Sequence, residues 1–134
     1  MSFDVFVQCY GETEKLGLPR ERVRALFPIV EEESGPDCWV VRYDDLNSSD
    51  IYVDAESEQF KGFMVNRPAG DIRFWQAQLT ILRMGSVVMF WPGSRPLLAQ
   101  KSDAEELPED IVESLGEPVF VERAEEFLEL LKAT

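Results

Sequence analysis

Two thiols, 26 carboxylates and no imidazole bound the chemistry open to this 134-residue chain. Without His there is no Ser-His-Asp triad, no Cys-His dyad and no His-ligated zinc. Catalysis would have to rest on carboxylates, Cys, Lys, Tyr or a cofactor. Cys9 has no activating base beside it and falls on the apolar side of an alternating segment, so it reads as a core thiol. Cys9 and Cys38 lack metal-ligand spacing, and two thiols are too few for a disulfide-stapled scaffold, so both are expected to be reduced. The acid pairs Asp44 and Asp45, or Asp50 and Asp54, would serve general acid-base chemistry only if burial split their pKa values. The polar turns beside them favour exposure. Asp45-x-Asn47-x-Ser49, with Glu56 eleven positions after Asp45, copies the oxygen spacing of a calcium loop. Asp50 stands where that loop needs Gly, so Asx-turn and Ser-turn chemistry is the expectation. No metal and no cofactor are expected, and an enzyme is the less favoured class.

Charged residues at element ends are more promising. Arg67, Asp71 and Arg73 flank Pro68-Ala69-Gly70 just before a helical pattern, where free N–H groups and two guanidinium groups could hold a carboxylate or phosphate. An ordinary cap with an Arg-Asp pair accounts for the same residues. Arg95, in Trp91-Pro92-Gly93-Ser94-Arg95-Pro96, suits the rim of a cleft. Arg20, Arg22 and Arg24 form the only basic cluster, expected on the solvated side of a short helix. Glu122, Glu125, Glu126 and Glu129 surround a final helical stripe and give it a negative outer face, a candidate surface for a basic protein partner.

The elements that position these residues follow from periodicity. Phe3 to Cys9 alternates as a strand, and Tyr10 to Leu18 reads as a loop. Pro19 opens a short helix carrying Val23, Leu26 and Phe27, ended by Pro28. Ser34-Gly35-Pro36-Asp37 turns the chain into a strand from Cys38 to Tyr43, and Asp50 to Asp54 returns as its hairpin partner. Phe60 to Val65 is a further strand. Ile72, Trp75, Leu79 and Leu82 recur at helical spacing behind an Asp71 or Gly70 cap. Val87 to Trp91 reads as a strand covered on both faces, and Leu97-Leu98-Ala99 as a short edge strand. Pro108 to Leu115 reads as a helix ended by Gly116, Val119-Phe120-Val121 as a strand, and the last segment as a helix with Ala124, Phe127, Leu128 and Leu131 inward.

This order predicts one α+β domain over residues 1–134, a mainly antiparallel sheet with helices on one face and acidic helices at the C-terminal end. The formal charge of −13 argues against nucleic acid, whose binding rests on Lys and Arg clusters. The charge is uneven. Residues 102–134 carry 11 acids and 2 bases, whereas residues 1–101 carry 15 acids and 11 bases. No signal-peptide pattern and no apolar run near the roughly 20 residues of a membrane span is present, so a cytoplasmic location is expected and no membrane partner.

The first 100 residues read β-α-β-β twice, an order that suggests duplication and resembles the GyrI-like effector-binding fold. That resemblance implies a small amphipathic ligand held in a cleft between the halves. Met1-Ser2-Phe3-Asp4-Val5-Phe6-Val7-Gln8, Val41-Arg42-Tyr43-Asp44-Asp45 with Asn47-Ser48, Asn66-Arg67-Pro68 before Gly70-Asp71, and Phe90-Trp91-Pro92-Gly93 together resemble a family of small bacterial proteins of unassigned function; the likeness implies no activity. Three functional classes remain: a protein-binding module such as an immunity-type inhibitor with an acidic docking face, a small-ligand binder, and a carboxylate-based or cofactor-dependent enzyme.

Overall fold

A computed structural model describes residues 3–133, apart from the side chains at 102 and 103. The chain runs β1 (Asp4–Cys9), α1 (Gly11–Leu16), β2 (Leu18–Pro19), α2 (Arg20–Arg24), β3 (Cys38–Arg42), β4 (Ser48–Tyr52), β5 (Gln59–Phe60) and β6 (Gly62–Asn66). It continues through α3 (Ile72–Leu82), β7 (Val87–Phe90), β8 (Leu97–Leu98), α4 (Glu109–Leu115), β9 (Val119–Phe120) and α5 (Glu125–Ala133). Seven strands form one sheet in the order β3-β4-β6-β1-β7-β8-β9, and β2 pairs with β5 in a small second sheet. The fold is α+β, as the sequence predicts.

β1 is the hub. It pairs antiparallel with β6 on one side and β7 on the other, so the β6-α3-β7 connection arches over it. Gly62 permits this approach, because a Cβ there would lie 2.7 Å from the Val7 carbonyl oxygen. The alternation of β1 places Val5, Val7 and Cys9 in the core at 2% exposure or less. The helical stripe of α3 meets them. Trp75 is fully buried, stacks on Phe127 of α5 at 5.2 Å, meets Phe74 edge-on at 5.1 Å and donates its indole N–H to the Ala69 carbonyl at 2.9 Å. Rings of this kind each remove about 150–250 Å² from water, so this cluster is a large hydrophobic contribution to the fold.

Several local expectations change. The segment after β1 contains the short helix α1 instead of continuous loop. β8 is interior rather than an edge, since it pairs antiparallel with β7 and parallel with β9. Pro96 lies just before β8, and its carbonyl accepts the Val119 N–H at 2.8 Å, so the missing proline N–H falls outside the strand. A second apolar cluster, Tyr10, Val88, Leu98 and Leu107 with Ile111 and Val112, covers the opposite face of β7 and β8. The β-α-β-β runs are also placed differently. The first run's hairpin joins the sheet through its last strand, β4, on β6, whereas the second run's joins through its first, β7, on β1. β1, the opening strand of the first run, is hydrogen-bonded between β6 and β7 of the second run, so the two runs share one sheet.

Candidate functional site

The positions singled out from the sequence separate into those the fold consumes and those it leaves open. Arg67, Asp71 and Arg73 are consumed. Asp71 caps α3 by accepting the Arg73 N–H at 2.9 Å, and its carboxylate takes the Arg73 guanidinium through Nε at 2.9 Å and a terminal nitrogen at 2.7 Å. These bonds hold the Asp71 pKa down at about 2. Arg73 also lies over the Tyr43 ring, 5.0 Å from its centroid. Burial, reinforced by the charge of Asp71, pushes the Tyr43 phenol up to about 12. Arg67, at φ 52°, reaches Asp50 at 3.4 Å. These contacts support the ordinary-cap reading of this loop, in which its cations meet carboxylates and its helix terminus has a cap.

The basic cluster is likewise not a free face. Arg20 donates to the carbonyls of Asp54, Ser57 and Pro36 at 2.9, 3.1 and 2.7 Å and lies over Trp39 and Phe60. Arg24 pairs with Glu31 and also faces Trp39. Arg20 and Arg24 thereby fasten the helix to the β4–β5 connection and to the segment before β3, a role without any periodic signal, while Arg22 is exposed. The adjoining cavity of about 410 Å³ around Asp54, Ser57 and Gln59 is bordered by carbonyls that Arg20 occupies.

Acid-base and thiol chemistry find little support. The carboxyl groups with shifted pKa values, Glu33, Asp44 and Asp71, are all lowered, chiefly by hydrogen bonds from Arg42, Asn47 and Arg73 respectively. Such groups are poor proton donors at neutral pH. Asp44, not a cation, organises the calcium-like loop, its Oδ1 accepting the Leu46 and Asn47 N–H groups. Among the described residues no cluster of three His, Cys, Asp or Glu could hold a metal. Burial pushes the Cys9 thiol up to about 11 and also raises Cys38, against nucleophilic thiolate character.

α5 retains open chemistry. Glu122, Glu125 and Glu129 are exposed, and none joins an ion pair among the described residues. Glu126 departs from the expected four-acid face. It folds back to accept the N–H groups of Glu122 and Arg123 at 3.2 and 3.0 Å and lies 3.7 Å from the Arg123 guanidinium. Its position in the first turn is the signal that reveals a capping acid. Phe127, fully buried, anchors the opposite side of the helix. Arg95 is the other open position, bordering a cavity of about 190 Å³ between the β7–β8 turn, β9 and α5.

No family model matches the chain, and neither does any curated protein or solved structure. No helix among the described residues is long and apolar enough to cross a membrane.

Proposed function

We propose that this protein is a non-catalytic binding module that docks a basic protein through Glu122, Glu125 and Glu129, as an immunity-type inhibitor would neutralise a basic toxin. The observation that supports this reading is the set of three exposed carboxylates, Glu122, Glu125 and Glu129, gathered around one helix. Glu31, Glu33, Asp50 and Asp71 each meet an arginine, whereas Glu125 and Glu129 on α5 and Glu122 just before it join no ion pair among the described residues, on a segment fixed from behind by Phe127. Unpaired charges on a rigid element attract an oppositely charged surface without first breaking internal bonds. The lowered carboxyl pKa values weigh against the enzyme class.

Affinity capture from a bacterial lysate, run at ionic strengths of about 0.01 M and about 1 M, tests the reading, because these conditions change the screening length from about 30 to about 3 Å. A basic protein held at low salt, released at high salt and lost from the Glu122→Lys, Glu125→Lys, Glu129→Lys variant is the expected outcome. Retention of the same protein by that variant would overturn the acidic-face mechanism.

A further inference from the structure

The cavity beside α5 has a built polarity that the docking face does not use. Trp91, Leu97, Val119, Leu130 and Ala133 supply an apolar lining, and Arg95 stands on the border. The turn that carries Arg95 is closed in both directions: the Ser94 hydroxyl oxygen accepts the Trp91 N–H at 2.8 Å, and the Ser94 N–H donates to the Trp91 carbonyl at 2.9 Å. Gly116, at φ 97°, ends α4 just before Glu117, whose carbonyl accepts Arg95 Nε at 2.6 Å. The arginine stem is thus held by Nε, while its terminal amino groups have no partner among the described residues. Arg24, Arg42, Arg67, Arg73 and Arg123 all meet carboxylates of this chain. Among the described residues Arg20, Arg22, Arg83 and Arg95 meet none; Arg20 and Arg83 spend terminal nitrogens on carbonyls, and Arg95 is the one of the four that borders this cavity.

We propose that this cavity binds a monocarboxylate with a benzene-sized apolar body, the body against Trp91, Leu97, Val119, Leu130 and Ala133 and the carboxylate on the terminal amino groups of Arg95. Size and charge agree on that class. An apolar cavity of roughly 150 Å³ accommodates benzene, so about 190 Å³ admits a ring and leaves the carboxylate at the border with the guanidinium. The excess negative charge of the chain acts at long range and is screened beyond about 8 Å at physiological salt, while the guanidinium acts at contact through charge-assisted, two-pronged hydrogen bonds. A free aromatic acid and the C-terminal residue of a peptide present the same groups. The site is independent of Glu122, Glu125 and Glu129, so failure of either proposal leaves the other standing.

The test is a titration of the ¹⁵N-labelled full chain, following the amides of Val119, Leu130 and Ala133. The probes are phenylacetate, phenylacetamide, and the peptide Gly-Gly-Phe with a free or an amidated C-terminus. Saturable shifts are expected with phenylacetate, with the free-acid peptide, or with both, and the pattern identifies the source of the carboxylate. The matching amides, and the Arg95→Gln variant with either acid, should bind at least about ten-fold more weakly, the loss expected when a charged hydrogen bond is removed. Ala133→Trp, at an exposed position, should abolish the shifts by filling the cavity without disturbing the core. No saturable shift with either acid, equal binding of acid and amide, or unchanged binding by a folded Arg95→Gln or Ala133→Trp protein would overturn the proposal.

Discussion

α3 and α5 lie against each other on the same face of the sheet, yet they divide their residues in opposite ways. Seven of the eleven residues of α3 are buried, whereas α5 buries only Phe127. At its start α3 places a carboxylate, Asp71, that is fully engaged by Arg73. α5 engages Glu126 in the same manner but leaves Glu125 and Glu129 to solvent. A helix committed to the core on most of its circumference has little surface for recognition. α5, anchored by Phe127 with Leu128, Leu130 and Leu131 packed partly against the core, keeps more of its surface than α3, and both open sites of this protein, the acidic face and the Arg95 cavity, use α5.

If that division is real, truncating the two aromatic anchors should give unequal losses. Trp75→Ala removes a ring that contacts Phe74, Phe127 and Trp91 and orphans the Ala69 carbonyl. A loss of about 3–5 kcal/mol in urea unfolding is expected. Phe127→Ala should fall at or below the lower end of that range, since α5 contributes no other buried residue. The two losses should sum to more than the double variant shows, because the rings stack on each other. A larger loss at Phe127 than at Trp75 would reverse the ranking of the two helices.

Gln78 sharpens the comparison from inside α3. It is fully buried, and neither its amide nitrogen nor its oxygen has a hydrogen-bond partner among the described residues. An unsatisfied buried amide costs about 1–3 kcal/mol, whereas a similarly shaped apolar side chain carries no such penalty. Gln78→Leu should therefore raise the unfolding free energy by about 1 kcal/mol. Destabilisation in the same urea measurement would mean that the amide supports α3 after all.

What could be read in advance follows from how local each cause is. The strands around Val5, Ile51 and Val88 and the helix around Trp75 declare themselves by alternation or helical spacing. Proline and glycine mark the turns that bound them. Arg20 could not be read, because its partners lie 16 to 37 positions away and are backbone carbonyls, which carry no residue-type signal. β8 was legible as a short strand but not as an interior one. Two residues cannot show a period, and its interior position depends on the distant strand β9. Asp71 and Arg73 showed their proximity but not their orientation toward each other, so the same residues admitted an anion site. Arg95 was legible as a rim residue from its rigid turn, while the cavity it borders required α5 and β9 to arrive from the end of the chain.

The smallest expected effect isolates the charge at the start of α3. Asn caps a helix about as well as Asp, so Asp71→Asn preserves the cap and removes the ion pair with Arg73. Because Asp71 titrates at about 2 in the folded chain against an ordinary 3.8, its charged form is stabilised by folding, chiefly through the Arg73 side chain. The sign follows from proton linkage: the contribution is fully present above 3.8 and disappears as pH falls from there through about 2. Wild type should exceed Asp71→Asn in urea midpoint at neutral pH by a small margin, since the Arg73 end of the pair lies in solvent. The gap should narrow across that acid window and close at its lower end. A gap independent of pH would place the difference in cap geometry instead of charge and remove the ion pair from the account of how α3 begins. Glu125→Gln on α5, with no cationic partner among the described residues, serves as the matched control for removing a carboxylate.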